Sequence, residues 1–177
     1  MQVFDQAKFN ELVHYICHKS DQDKLGAVKL NKILWFSDIL NFLSWGSSIT
    51  GETYKKRQLG PVPHHIVNSL DQLASEGILS ITEKPAYGYT KREYISLKTP
   101  NLDIFKPHEI SLIDEVIDTI TYGHTATSIS ELTHDDIWEM AEIGETIPYE
   151  TIMVARLGEI DENDIDWAND MITHGNA

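Results

Sequence analysis

Between Ala27 and Trp45 the chain offers no polar stripe. Val28, Leu30, Ile33, Leu34, Trp35, Phe36, Ile39, Leu40, Phe42, Leu43 and Trp45 recur on every side of a helical projection. The run is too long for a strand, and a helix apolar all round must be enclosed by the rest of its domain. The segment therefore predicts the centre of a core. A polar connection over residues 46–57 follows, with a short extended piece around Tyr54, and then Leu59-Gly60-Pro61-Val62-Pro63. Proline costs no hydrogen bond in the first turn of a helix. On that ground the pattern predicts a third helix over residues 63–75, entered through the prolines. Ile66, Leu70 and Leu73, with Val67 and Ala74, form its buried face, and Gly77 ends it.

Around this centre, Phe9, Leu12, Val13 and Ile16 sit at helical spacing and predict a first amphipathic helix over residues 4–18. Residues 78–82 and 93–97 are β-rich. The Pro- and Gly-containing stretch Pro85-Ala86-Tyr87-Gly88-Tyr89 between them predicts a hairpin with a broad tip. Residues 107–122 carry Ile110, Ile113, Ile117 and Ile120 along one helical face, stopped by Gly123, and short helices follow to about residue 156. Thr133 is an expected N-cap for a helix starting at His134. The expected fold class is mainly α: a compact helical domain with a small β hairpin, winged-helix-like in its middle part. One domain spans residues 1–157, and residues 158–177 form an acidic C-terminal tail.

Charge divides the chain. Of 28 acids and 14 bases overall, residues 24–99 hold 6 acids and 10 bases, whereas residues 100–177 hold 18 acids and 2 bases. The acidic part repels nucleic acid and attracts a basic protein partner, besides keeping the chain soluble. The single cysteine, Cys17, forms no internal disulfide. No apolar run reaches the ~18 residues that span a bilayer, and the first residues lack a signal peptide's basic and apolar regions. A cytoplasmic protein without membrane contact is expected.

Three clusters invite a chemical reading. Thr133-His134-Asp135-Asp136-Ile137-Trp138-Glu139 could hold a divalent metal or supply an acid and a base. Adjacent residues on a helix point about 100° apart, however, so a metal would need distant ligands such as His108, His124 or His174. Capping by Thr133, and favourable placement of Asp135 and Asp136 at the positive end of a helix, account for the same residues. His64-His65 has no carboxylate nearby in the sequence to orient an imidazole, and is expected on the exposed side of a first turn. Cys17 and His18 diverge on a helix, and Cys17 continues an apolar face as a buried thiol. No phosphate loop, nucleophile elbow or HExxH is present. No catalytic residue, cofactor or metal is expected.

The winged-helix order calls for a nucleic-acid test. A recognition helix needs Arg, Lys, Asn or Gln aimed at bases, with phosphate contacts around it. From Gln58 to Glu83 there is no Lys or Arg, and the third helix offers Asp71 and Glu76. Phosphate contacts dominate such affinities, which counts against nucleic acid as a partner.

The run Lys29-Leu30-Asn31-Lys32-Ile33-Leu34-Trp35-Phe36-Ser37-Asp38, then Leu59-Gly60-Pro61-Val62-Pro63, then Tyr122-Gly123 and Ser130-Glu131-Leu132-Thr133-His134 with Trp138, resembles the Panacea domain of the SocA-like, phage-associated antitoxin family. The likeness covers roughly residues 5–155. It implies a mostly helical, non-catalytic antitoxin that neutralises a cognate toxin, encoded next door, by direct protein contact. Lys29, Leu30, Lys32, Trp35, Phe36, Gly60, Pro61, Val62, His134 and Trp138 would be its structural motif. Trp35 stands where members usually carry Tyr, Ser37-Asp38 where Ala-Gln is commoner, and Ile137 where Pro precedes the Trp. Tyr87, Tyr89, Lys91 and Arg92 on the hairpin are the candidate partner contacts, since aromatics and Arg anchor interfaces. Self-association is left open. The competing functions are a winged-helix DNA-binding regulator and a metal-dependent hydrolase.

Overall fold

A computed structural model describes residues 2–86, 89–133 and 141–150, without the side chains of Ala86 and Tyr89. Tyr87, His134, Asp135, Asp136, Trp138 and the boundary at residue 157 lie outside the described residues. Helix α1 spans Gln6–Lys19, its first turn capped by the Asp5 carboxylate, which accepts from the Lys8 amide at 3.0 Å. Phe9, Leu12, Val13 and Ile16 are fully buried along it. Helix α2 spans Ala27–Trp45, the limits that the apolar pattern predicts, and ends at Gly46 in the left-handed region (φ 73°).

The enclosure of α2 is made by α1, helix α4 (Pro107–Gly123), helix α5 (Ala126–Leu132) and a strand. Leu30, Ile33, Leu34, Trp35 and Ile39 are all buried. So are Lys29, Lys32, Ser37, Asp38 and Asn41. The enclosure therefore takes in the polar positions as well as the apolar ones. The ends escape: Ala27 is exposed, and Trp45 is 61% exposed and stacks on His108 with ring centroids 4.2 Å apart.

The Gly-Pro-Val-Pro segment differs from its expectation. Residues Gly60–Pro63 form strand β2, antiparallel to β1 (Tyr54–Arg57), with Tyr54 opposite Pro63 and Arg57 opposite Gly60. A residue before proline is pushed out of the helical region towards extended backbone. Gly60 and Val62 both precede prolines, so alternation favours a strand over a helical turn. The prolines are tolerated because β2 lies at the sheet edge, where a missing N–H breaks no ladder. Helix α3 starts only at Ile66 and runs to Ser75. Gly77 (φ 62°) follows it in the expected position. Ile66, Leu70 and Leu73 face the core, but Val67 is 61% exposed and Ala74 also points outward.

Strands β3 (Leu79–Ala86) and β4 (Tyr89–Ser96) pair from Leu79–Ser96 to Ala86–Tyr89. The hairpin thus extends further than predicted, and Pro85, Ala86 and Tyr89 belong to the ladder rather than to a broad loop. Ion pairs Lys84–Glu93 (2.7 Å) and Arg92–Glu83 (3.1 Å) span its outer half, and in a two-stranded ribbon Pro85 can turn its missing donor outward. A 3-10 turn (Leu102–Ile104) interrupts the linker before α4. Pro107 opens α4, and the Glu109 carboxylate accepts from the Lys106 amide at 2.8 Å. Thr133 closes α5 as its C-cap. Strand β5 (Thr146–Ile147), which the sequence pattern does not predict, pairs with β1 and completes a sheet of order β2-β1-β5. The architecture is mainly α with two small sheets.

Candidate functional site

Five residues of the family-like segments, Lys32, Leu59, Gly60, Ser130 and Thr133, meet at one buried amine. Lys32, on the second turn of α2, is 1% exposed. Its Nζ donates to the Leu59 carbonyl at 2.6 Å and to Thr133 Oγ1 at 2.7 Å. Thr133 Oγ1 in turn donates to the Ser130 carbonyl at 2.8 Å, and Ser130 Oγ to the Leu59 carbonyl at 3.0 Å. The helix α2, the β1–β2 turn and the end of α5 are tied together by this knot. Gly60 belongs to it sterically. Its φ is +100°, and a Cβ there would overlap Lys32 Nζ. Burial pushes the Lys32 amine down to about 7, because transfer out of water penalises the charged form and the bonded acceptors are neutral.

One turn earlier, Lys29 Nζ donates to the Thr121 carbonyl at 2.9 Å. Burial, reinforced by the charges of Lys24 and Lys91, holds it below the usual lysine range. Further along α2, Asp38 is fully buried. It accepts from the Thr50 amide (3.0 Å), Thr50 Oγ1 (2.8 Å) and Tyr54 Oη (2.8 Å). Burial raises its carboxyl to about 6 against the opposing pull of these bonds. Trp35 packs edge-on against Tyr54 (4.9 Å) and beside Tyr149 (6.2 Å), whose Oη donates to the Glu52 carbonyl at 2.6 Å.

His65 corrects an expectation. A carboxylate does orient it: the fully buried Glu52 accepts from its Nδ1 at 2.9 Å and from its amide at 3.0 Å. Its ring stacks on Phe4 (4.1 Å), while His64 is exposed beside it. Nothing in the spacing of Glu52 and His65 signals this pairing, because the intervening β1–β2 hairpin brings them together. Cys17 is buried, and burial raises its thiol above the ordinary range.

Of the remaining predicted residues, Leu30 and Trp35 are buried, Pro61 is buried, and Val62 and Phe36 are half-buried. Phe36 lines an apolar groove of about 380 Å³ between α2, α4 and α5. Lys91 and Arg92 stand together on β4. Lys91 Nζ donates to the carbonyls of Gln22 (3.1 Å) and Asp23 (2.6 Å), and Arg92 Nε to Glu83 (3.1 Å). Tyr89 is described only as a backbone position opposite Ala86. Among the described residues no group of three or more His, Cys, Asp or Glu side chains could hold a metal ion, and no helix is long and apolar enough to cross a membrane. A burial pattern around Lys32, Asp38 and Asn41 was recoverable in principle, since polar residues inside an all-apolar helix have nowhere exposed to go.

A mainly α domain whose central helix is anchored through a buried lysine to a Gly-Pro turn is the class these observations define. The antitoxin SocA-like, Panacea domain matches residues 30–139. The chain belongs to that family. Comparison with curated proteins and with solved structures gave no match.

Proposed function

We propose that this chain is the antidote of a toxin–antitoxin pair and neutralises its toxin by direct protein contact, without catalysis, in the cytoplasm. The observation that carries the reading is the family match over residues 30–139, whose limits enclose all the residues of the Lys32 knot. The chemistry of that knot supports a scaffolding role. Lys32 is bonded to Leu59 and Thr133, and Asp38 to Thr50 and Tyr54, within a packed interior. We read the α3–β3–β4 segment as winged-helix-like, with its wing turned to protein recognition. Helix α3 itself contributes no Lys or Arg to meet phosphate; its outward face presents Asn68, Asp71 and Gln72, with Glu76 at its end.

Co-expression with the product of the neighbouring gene tests the reading. Rescue of growth, with the two proteins purifying together, is the expected result. A toxic neighbour that this chain neither rescues nor binds refutes it. A mobility shift on the upstream DNA that persists at physiological salt would favour the regulator instead.

A further inference from the structure

A cleft of about 650 Å³ lies between the β3–β4 wing, the start of α2 and the α4–α5 junction. Lys24, Lys29, Lys91 and Arg92 line it, against the carboxylates of Asp23 and Glu83. Glu83 is already engaged by Arg92 at 3.1 Å. The three ammonium groups end on neutral acceptors: Lys29 on the Thr121 carbonyl, Lys91 on the Gln22 and Asp23 carbonyls, and Lys24 over the Tyr122 ring at 4.3 Å. Their charges add instead of cancelling, and Lys24 and Lys91 both contribute to lowering the Lys29 amine. Helix α2 begins at the same cleft with Gly26 as N-cap and no side-chain cap, which adds the positive end of a helix dipole. In a chain of formal charge -14, this is a local basic site. Among its otherwise largely polar exposed lining stand two large apolar side chains, Leu59 (54% exposed) and Tyr122 (62% exposed).

We propose that this cleft docks an acidic peptide segment of the protein partner, with carboxylates seated on Lys24 and Lys91 and apolar neighbours on Leu59 and Tyr122. The proposal rests on the antitoxin reading for the identity of that partner. Charge complementarity favours a peptide over a nucleic acid. A phosphodiester chain carries a charge at every step and could not skip the Asp23 carboxylate in the lining, whereas a peptide can alternate carboxylates with apolar side chains. A toxin that is basic overall still fits, since long-range attraction to the acidic half and local docking of one acidic loop act at different distances.

Fluorescence anisotropy on the full chain tests the cleft. The probes are a short fluorescein-labelled peptide alternating Asp and Glu with Leu and Phe, its Asn/Gln copy, and a single-stranded DNA of equal length. The acidic peptide should bind at least about tenfold more tightly than either control. Lys24→Glu and Tyr122→Glu, both at exposed positions, should each weaken it by about tenfold, and Lys24→Arg should not. Equal binding of the amide copy, tighter binding of DNA, or indifference to both substitutions overturns the proposal. Growth rescue separates it from the reading beneath it. Rescue by the wild type that Lys24→Glu abolishes supports the cleft, and rescue that survives Lys24→Glu and Tyr122→Glu overturns it while leaving the antitoxin role standing. If the wild type fails to rescue, the antitoxin role falls, and the anisotropy result alone decides the cleft.

Discussion

Replacing Lys32 by methionine removes a buried amine while keeping much of its volume, and the consequence depends on pH in a way that can be worked out in advance. The amine titrates near 7 in the folded chain against 10.5 for an unperturbed lysine. Between those values the unfolded chain binds a proton that the folded chain does not, so stability rises with pH. Below pH 7 both states are protonated, and the folded state bears the full cost of a desolvated charge. Each unit of the gap corresponds to about 1.4 kcal/mol, so the wild type should gain roughly 2–3 kcal/mol between pH 7 and pH 9. Lys32→Met should lack that gain. Its former acceptors retain partners, since Ser130 Oγ still donates to the Leu59 carbonyl and Thr133 Oγ1 still donates to the Ser130 carbonyl. Urea denaturation of both proteins at intervals from pH 6 to pH 9 gives the difference directly, and contributions from the raised tyrosines and Cys17 cancel in it. Parallel stability curves for the two proteins would refute the burial argument for Lys32.

Three further expectations concern the same core. Gly60→Ala forces a Cβ into Lys32 Nζ at a φ of +100°; strain and a displaced charge-assisted bond together should cost about 3–5 kcal/mol in urea, and a loss under 1 kcal/mol would contradict the close approach. Trp35→Ala, at 4% exposure against Tyr54, should cost ~3–5 kcal/mol; a thermal midpoint that barely moves would remove Trp35 from the core. Asp38 is raised from 3.8 to about 6, so the folded state holds its proton longer and wild-type stability should fall as pH rises through that window. Asp38→Asn should flatten this decline, which amounts to up to about 3 kcal/mol, and an unchanged slope in acid denaturation would count against it.

Where a single periodicity governs a segment, the sequence is readable. Helix α2 has its predicted limits because its apolar residues satisfy only a helix. The helices α1 and α4 were legible for the same reason, each from one apolar face. The prolines of β2 misled because two rules compete there: tolerance of proline in a first helical turn and exclusion of the preceding residue from helical backbone. Alternation of the prolines lets the second rule win. Strand β5 is two residues long and owes its existence to the β1 edge it meets, so no local signal announces it. The candidate site divides likewise. Lys32 was marked beforehand only as a residue of the family motif, whereas its burial and its acceptors, drawn from Leu59 and Thr133, required the tertiary fold. The clustering of Lys91 with Lys24 and Lys29 is equally a product of packing between wing and helix.

The sheet order β2-β1-β5 bears on where this domain can be cut. The match to the family domain ends at residue 139, yet β1 finds its second neighbour at residues 146–147, and Tyr149 packs beside Trp35. At the other end, α1 supplies Phe9, Leu12, Val13 and Ile16 although the family-domain match begins at residue 30. A fragment trimmed to the shared kernel would expose an unpaired backbone edge and strip four interior side chains, an invitation to aggregate. Excision for biophysical work should therefore keep both α1 and the segment through Tyr149, since the interior draws on residues outside the stretch by which kinship is recognised.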